Sequence, residues 1–238
     1  MQKALHVAII AVIIVAIGFT ALMLFLKYQV NGETNMPFVV SKISIISTAN
    51  SEDIKDNKNT WNKAVGEDND IYIYIDKNEN YKKTDTIKEI LIDNISIVKE
   101  PLKGQVYIYK PSNNKNAIFE NKEEYKSNEI VFTGEQETEI KELKISNQGG
   151  IIAFRVSNQN IGKFISNEKE IKHEDLLNKI NITEDEIKMK IYFNITMSLS
   201  SGKKFKSEVT LDLPVEDTIE TGKSSKEITD YKFIFKRQ

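Results

Sequence analysis

Residues 187–199 read IKMKIYFNITMSL and carry the strongest periodic pattern of the chain. Apolar side chains occupy every second position, and most of the residues between them are polar. Because successive side chains of a strand point to opposite faces, this alternation predicts a β-strand with one buried face. A turn at 200–203 precedes a second alternating segment at 205–215, so the two predict an antiparallel hairpin. Each arm would exceed ~35 Å at ~3.3 Å per residue, and we therefore expect a bulge or bend within the hairpin.

Shorter alternating segments lie on both sides of this hairpin. They predict strands at 39–45, 70–76, 87–98, 106–109, 129–132, 139–145, 151–156, 164–165 and 231–235. The apolar phase switches at Asp93-Asn94, which predicts a bulge or a turn because a one-residue shift exchanges the two faces. Residues 173–182 and the capping-box spacing at 183–186 predict short helical turns. The fold class that follows is all-β: an antiparallel β-sandwich with a short helical insertion.

Two polar segments, 47–68 and 112–127, are interpreted as loops. Trp61 lies alone in the first of them. The interpretation we favour is a plug that closes one end of the sandwich, and a sugar-stacking platform is the functional alternative.

Residues 4–26 read ALHVAIIAVIIVAIGFTALMLFL and contain no Asp, Glu, Lys or Arg. Twenty of them, from position 7 to 26, would form a helix of ~30 Å, which matches the hydrocarbon core of a bilayer. A buried core helix would need apolar surroundings that the polar strands and loops downstream do not offer. A cleaved signal peptide would have a shorter apolar region and a small-x-small site, which KYQV at 27–30 does not provide. We predict an uncleaved transmembrane anchor that contains Ala4, Val7, Ile10, Ile14, Gly18, Leu22 and Leu26.

The chain therefore divides into an anchor with a linker, residues 1–35, and one β-sandwich domain, residues 36–238. The charge bias around the helix is weak, but large domains translocate largely regardless of charge. A very short head before a first apolar helix usually stays in the cytoplasm. We expect a single-pass plasma-membrane protein with a cytoplasmic N-terminus and an extracytoplasmic C-terminal domain.

Composition excludes several classes of function. The chain has no cysteine, which excludes disulfides, thiolate metal sites and a cysteine nucleophile. After residue 30 it has 31 basic and 35 acidic residues, and this near-neutral balance argues against nucleic acid as a partner. A cysteine-free exported domain rich in Ile, Lys and Asn is typical of a bacterial surface.

The motifs predict no catalytic residue, no cofactor and no metal site. His173 stands beside two acidic residues and is expected to be solvated. The segment 76–80 begins like a calcium loop, but Tyr81 replaces the required glycine. The acidic stretch 67–70 is interpreted as a solvated loop, with Ca²⁺ binding as the alternative. A carboxylate pair for hydrolysis stays open because acidic residues are plentiful.

Tyrosines form pairs on two of the predicted strands. If the alternate Ile and Val positions are buried, these rings lie on the opposite face of the sheet, where exposed aromatics line protein or glycan surfaces. The alternatives are cross-strand packing or a position beneath a loop. The candidate binding face, for an envelope protein or glycan, consists of Tyr72, Tyr74, Tyr107, Tyr109 and Trp61.

Four segments carry a family resemblance: KYQV at 27–30, SNQGG at 146–150, LDLP at 211–214 and SKEITD at 225–230. With them the chain resembles uncharacterised single-pass, membrane-anchored proteins of low-GC Gram-positive, clostridia-like bacteria. The resemblance implies a bacterial origin and a membrane anchor, and it brings no activity or site residue with it.

Two functions follow as hypotheses. The first is a membrane-anchored extracytoplasmic β-sandwich with a non-enzymatic binding or structural role at the bacterial cell envelope. The second is an exported carbohydrate- or peptide-active enzyme. The enzyme requires a concavity with two carboxylates ~5–9.5 Å apart, one of them with a raised pKa.

Overall fold

The computed structural model describes residues 2–57, 60–112, 118–119, 129–134 and 143–238. Helix α1 spans Gln2–Asn31, and all seven predicted anchor residues lie within it. Its segment Ile9–Asn31 contains an 18-residue window with a mean hydropathy of 3.0, and none of that window is buried inside the protein. Helix α1 is long and apolar enough to span a bilayer. The alternative of a buried core helix is wrong, because side chains such as Ile14 and Leu22 are 64% and 52% exposed.

The remaining elements are mostly strands. In chain order they are β1 (Phe38–Asn57), β2 (Thr60–Lys77), β3 (Ile87–Lys99), β4 (Gln105–Tyr109), β5 (Ile130–Thr133), β6 (Leu143–Lys144), β7 (Gly150–Ser166), α2 (His173–Lys179), α3 (Glu184–Ile187), β8 (Met189–Leu199), β9 (Lys204–Leu213), α4 (Thr218–Thr221), β10 (Lys223–Ile228) and β11 (Lys236–Arg237). Among the described residues they form two sheets: sheet A in the order β10-β1-β2-β7-β4, and sheet B in the order β11-β9-β8-β3-β5-β6. All pairings are antiparallel except β5 with β6, which is parallel.

The inner faces of the two sheets share one hydrophobic core. Phe154 of β7 and Phe193 of β8 meet across it edge to face, with ring centroids 5.1 Å apart. The alternate Ile and Val positions of both sheets are fully buried around this pair. The all-β sandwich fold expected from the sequence is therefore confirmed.

Sheet A extends beyond this core. The ends of β1, β2 and β7 that lie far from α1 are covered by α2 and α3, which form a second, smaller core. Its buried residues are Ala49, Val65, Ile161, Leu176, Leu177, Ile182 and Ile187. We call the end of the domain next to α1 the basal end and the helix-covered end the distal end.

The segment expected to be a loop at 47–68 is instead strand at 47–57 and 60–68, and residues 58–59 lie outside the described residues. Strands β1 and β2 pair almost continuously from Phe38 with Lys77 to Asn57 with Thr60, so the loop prediction is wrong. Polar side chains concealed the strands because several of them occupy inward-facing positions. Trp61 consequently lies on β2, half-buried and opposite Ser166, and not in a loop.

The central hairpin is confirmed, but its expected bulge is not. Strands β8 and β9 pair without a register shift from Met189 with Leu213 to Ser198 with Lys204. The bulge predicted at Asp93-Asn94 is present, since the β3–β8 pairing shifts there and Asn94 has a φ of 53°.

The predictions near the C-terminal half have mixed outcomes. The helical turns are confirmed as α2 and as α3, whose capping box joins the Thr183 amide to Glu186 Oε2 at 3.0 Å. The terminal strand 231–235 is wrong: its three aromatic rings pack in series on the core, and only Lys236–Arg237 pairs with β9. Parts of the predicted segments 112–127 and 139–145 lie outside the described residues.

Candidate functional site

The four predicted tyrosines lie on the outer face of sheet A. Across the pairs β2–β7 and β4–β7, Tyr72 faces Ala153, Tyr74 faces Ile151, Tyr107 faces Ser157 and Tyr109 faces Arg155. On β2 and β7 these positions alternate with buried residues of the core, as the sequence pattern predicts, whereas on β4 the alternating residues Val106 and Ile108 are only partly buried. The sheet therefore gathers tyrosines from two strands that are separated only by β7.

The four rings differ in exposure. Tyr107 is 41% exposed, Tyr72 and Tyr74 are half-buried, and Tyr109 is only 4% exposed. Gln159 Nε2 donates a hydrogen bond to the Tyr109 hydroxyl at 2.8 Å, and burial raises the pKa of that hydroxyl. Tyr109 is therefore a structural residue that a ligand does not reach directly.

The accessible part of this surface has an aliphatic residue at its edge. Ile151 is 52% exposed and lies directly opposite Tyr74. Lys42 Nζ lies 4.4 Å from the centroid of the Tyr74 ring, within the range of a cation–π contact. We call Tyr72, Tyr74, Tyr107 and Ile151 the tyrosine face.

Trp61 is not part of the tyrosine face. It lies eleven residues before Tyr72 on β2, which corresponds to ~36 Å along an extended strand. The structure therefore separates the predicted candidate face into four tyrosines at one place and a tryptophan at the distal end.

An ion cluster lies between the two tyrosine-bearing strands. Arg155 donates from Nε and Nη2 to the two carboxylate oxygens of Asp70, at 2.5 and 2.9 Å, and its Nη1 lies 3.1 Å from Asp68 Oδ2. Burial opposes the charged form of Arg155, but the hydrogen bond to Asp70 and the two negative charges raise its pKa. Phe119 covers the guanidinium at 4.7 Å. The acidic stretch expected to be a solvated or calcium-binding loop is thus part of β2, and its two aspartates are held by an arginine.

The opposite face of β2 carries polar residues that the sequence interpretation missed. Glu67 and Asn69 are completely buried, together with Ser47 of β1 and Asn158 of β7. Ser47 Oγ donates to Asn69 Oδ1 at 2.6 Å, and Asn69 Nδ2 donates to Glu67 Oε1 at 3.2 Å. We call these four residues the buried polar row. It lies between the two hydrophobic cores, at the position where sheet A stops packing against sheet B and begins to pack against the helices.

Glu67 is a neutral carboxylic acid at neutral pH. Burial raises its pKa to about 8, and the hydrogen bond from Asn69 only partly opposes the shift. Glu67 lies directly opposite Asn158, and Glu67 Oε2 and Asn158 Oδ1 have no hydrogen-bond partner among the described residues. Two acceptor oxygens on facing residues favour a proton on Glu67, which turns one acceptor into a donor.

The enzyme hypothesis requires a concavity and a carboxyl group with a raised pKa at the same place, and in the described part of the chain these two features lie apart. A concavity of about 250 Å³ near α3 and α4 has Glu184, Asp217 and Glu220 in its wall. Glu67, the carboxyl group with a raised pKa, is fully buried in a different place. The His173 side chain is exposed as expected, although its Nδ1 lies 2.6 Å from the Ala49 carbonyl oxygen. Within the described ranges, no group of three or more His, Cys, Asp or Glu side chains is arranged to hold a metal ion.

These features define a class of protein: a β-sandwich that follows an N-terminal helix able to span a membrane, with tyrosines on the outer face of one sheet. Comparison with family models, curated proteins and solved structures finds no match to this chain. Function must therefore be argued from the surface itself.

Proposed function

We propose that this chain is a single-pass, membrane-anchored protein of the bacterial cell envelope, whose extracytoplasmic β-sandwich binds a partner protein without catalysis. The observation that carries this proposal is the tyrosine face. Two half-buried tyrosines, one exposed tyrosine and one exposed isoleucine share the outer face of a rigid sheet. Exposed apolar groups that are rimmed by charges are typical of interaction surfaces.

The chemistry of the face favours a protein over a glycan. Sugar platforms need an open ring face, whereas Lys42 Nζ stands over the Tyr74 ring. The bidentate donor of the cluster, Arg155, is already bound to Asp70 and is not free for an acidic ligand. Protein interfaces instead combine Tyr and aliphatic contacts at the centre with a charged rim, which Lys42 and Glu227 supply here at 2.5 Å from each other.

The orientation part of the proposal is tested by protease accessibility in wall-stripped cells, with a cytosolic protein as the control. We expect the domain after Gln29 to be cleaved while the cytosolic marker survives. Protection of the domain until the cells are lysed would place it in the cytoplasm and contradict the envelope role.

The binding part is tested by placing a photo-crosslinking amino acid at position 107 or 151 of the full chain in its native membrane. Position 131 is the matched control, since Val131 is a 44% exposed β-strand residue that belongs to sheet B. We expect the same protein adduct from positions 107 and 151 and none from 131. The Tyr72→Ala and Tyr74→Ala variants should weaken binding of the purified partner by at least ~10-fold, as residues at the centre of interfaces do.

The other outcomes are equally informative. Equal adducts from all three positions would mean that the tyrosine face is not selective, and the proposal would fail. Binding of a purified envelope glycan that is lost in the Tyr72 and Tyr74 variants would replace the protein partner by a glycan. Hydrolysis of a peptide or glycan that depends on Glu184 or Asp217 would favour the enzyme hypothesis.

A further inference from the structure

The basal end of the domain collects positive charge from five separate segments of the chain. These are the end of α1, the segment after β2, the β8–β9 turn with the start of β9, the segment before β11, and β11 itself. The basic residues are Lys27, Lys77, Lys82, Lys83, Lys203, Lys204, Lys232, Lys236 and Arg237, and the acidic residues at the same end are Glu33, Asp76, Glu79 and Asp85. The thirteen residues named here carry five more positive than negative charges, although the whole chain has a net charge of −2.

These basic side chains are not used in ion pairs within the described part of the domain. None of the nine has a described carboxylate oxygen within 4.0 Å, whereas lysines elsewhere on the domain do, as Lys103 with Glu186 at 2.9 Å and Lys190 with Asp212 at 3.2 Å show. The segment 135–142, which has four glutamates and one lysine, lies outside the described residues and is not counted. Among the described residues, the charge at the basal end is thus not neutralised by internal ion pairs.

Contacts with α1 place this charge beside the C-terminal end of the helix. Lys236 Nζ donates to Gln29 Oε1 at 2.8 Å, Lys232 Nζ donates to Asn31 Oδ1 at 3.1 Å, and the Arg237 amide donates to the Tyr28 hydroxyl at 2.8 Å. The apolar part of α1 ends at Leu26, and five further helical residues rise ~7 Å. This rise is about the thickness of one headgroup layer, so the C-terminal cations lie at headgroup depth if α1 crosses the bilayer.

A concavity at the same end has the chemistry of a phosphate site. It measures about 330 Å³, and its wall includes Lys77, Lys82, Lys83, Tyr81 and Gln148. The wall also contains one carboxylate, Asp85, which accepts a hydrogen bond from Ser201 Oγ at 2.6 Å. The neighbouring Lys203 donates from Nζ to the Tyr81 hydroxyl at 3.2 Å. Lysines around a phenol and an amide present donors to an anionic oxygen from several directions.

We infer that the basal end is a docking surface for the anionic phospholipid headgroups of the bilayer that α1 crosses. Docking holds the basal end of the sandwich against the membrane, so that the outer face of sheet A does not face the bilayer. The inference rests on α1 as the anchor and does not depend on the tyrosine face or on its partner.

The absence of cysteine in the sequence makes a direct test simple. The full chain with a single Asn80→Cys substitution, at an exposed basal position outside the wall of the concavity, is labelled with a donor dye and reconstituted in nanodiscs that contain an acceptor lipid. Asp185→Cys is the control label at the distal end. We expect energy transfer from position 80 to be higher in discs with phosphatidylglycerol than in discs of phosphatidylcholine alone. Salt at ~1 M, where the Debye length is ~3 Å, should remove the difference.

Charge-reversal variants test whether the basal lysines cause the lipid dependence of the energy transfer. Lys82→Glu together with Lys83→Glu changes the surface charge by four units, and each basic residue near an anionic membrane contributes roughly a fivefold preference. The docked population in phosphatidylglycerol discs should therefore fall by at least ~100-fold relative to the undocked one. The matched control is Lys169→Glu with Lys172→Glu, two exposed distal lysines, which should leave the lipid dependence unchanged.

Several results would overturn the inference. One is equal energy transfer in the two lipids for the unsubstituted chain, a measurement that needs no charge variant. Another is an equal loss in the distal control variant. Displacement by inorganic phosphate, but not by chloride at the same ionic strength, would assign the concavity to a soluble anion instead. Failure of the chain to enter nanodiscs would overturn the anchor as well.

Discussion

The two faces of β2 accommodate acidic side chains in opposite ways. On the outer face, Asp68 and Asp70 both form ion pairs with Arg155. On the inner face, no cation of the described residues lies beside Glu67, and burial raises its pKa to about 8, so the group is neutral at neutral pH. Residues 67 and 68 are neighbours in the chain, yet the alternation of the strand puts one carboxyl group against a guanidinium and the other into the interior.

The difference between the two faces shows how sheet A accommodates acidic side chains at the position where its two hydrophobic cores meet. An ionised carboxylate without a partner would be very costly in the interior, so Glu67 is tolerated as an acid that forms hydrogen bonds. The outer aspartates retain 20% and 14% exposure, and an ion pair with an arginine suffices there. The two faces therefore respond differently to pH and to substitution.

The largest expected effect concerns Glu67 and pH. Its pKa is about 8 in the folded protein and near the usual 4.5 when unfolded, so the folded state binds more protons between these values. This contribution to stability is fully present below pH 4.5 and is lost as the pH rises through 8. For the unsubstituted chain, the free energy of unfolding should fall by ~3 kcal/mol between pH 5 and pH 8 on account of this group. Urea unfolding at a series of pH values measures it.

Glu67→Gln isolates the effect, because the amide is neutral at every pH and can donate a hydrogen bond to Asn158. The variant should match the unsubstituted chain near pH 5 and be more stable at pH 8. Glu208→Gln, at an exposed position of β9, is the matched control and should leave the pH dependence unchanged. Parallel curves for the Glu67 variant and the unsubstituted chain would show that Glu67 is ionised in the fold.

The second effect concerns the outer face. Arg155→Met keeps an unbranched apolar side chain but leaves Asp68 and Asp70 without their cation and removes the contact with Phe119. We expect a loss of ~2–3 kcal/mol in the free energy of unfolding at pH 7, below the range for fully buried pairs because the groups are partly exposed. The denaturant midpoint at constant slope measures this loss.

Lys42→Met is the control for this prediction, because Lys42 and Glu227 form an ion pair that is open to solvent on the same sheet. Exposed pairs contribute little, and we expect no clear change in the midpoint. Adding Asp68→Asn and Asp70→Asn to the Arg155 variant should restore much of the lost stability, since no unpaired charge remains. An Arg155 variant as stable as the unsubstituted chain would indicate that the cluster contributes nothing net.

The sequence predicts those strands whose inward-facing positions are occupied by apolar residues. The sequence predicts strands with large apolar residues at every second position, such as β3 and β8, and it also predicts the outward direction of Tyr72 and Tyr74. The alternation of β2 continues inward at positions 65, 67 and 69, but two of these residues are polar and the segment was interpreted as a loop. The two-residue period of buried positions, continued from Ile71 towards the N-terminus, identifies Glu67 and Asn69, the two members of the buried polar row that lie on β2.

Other features depend on tertiary contacts and leave no local signal. Asp70 and Arg155 are 85 residues apart, and only the register between β2 and β7 brings them together. Tyr109 is buried although its partner in the pattern, Tyr107, is exposed. The charge of the basal end is likewise invisible in a near-neutral composition, because its lysines come from five segments that meet only in the folded chain.

The smallest predicted effect concerns Ser47, which lies at the edge of the buried polar row. Ser47 Oγ donates to Asn69 Oδ1 and accepts a hydrogen bond from the Val215 amide at 2.9 Å, so it connects sheet A to the segment after β9. Ser47→Ala leaves a buried N–H and a buried carbonyl oxygen without this partner and should lower the free energy of unfolding by ~1–2 kcal/mol. Amide hydrogen exchange at Val215 should become faster, which a general loss of packing would not single out.

Ser44→Ala is the matched control, because Ser44 lies on the same strand but on its outer, half-exposed face. It removes a hydroxyl of the same size without disturbing the interior, and both the stability and the exchange of Val215 should stay close to those of the unsubstituted chain. If the two serine variants lost the same stability, the cost would come from replacing serine in β1 generally. An effect confined to Ser47 would instead show that the inner face of sheet A depends on hydrogen bonds at the position where its two cores meet.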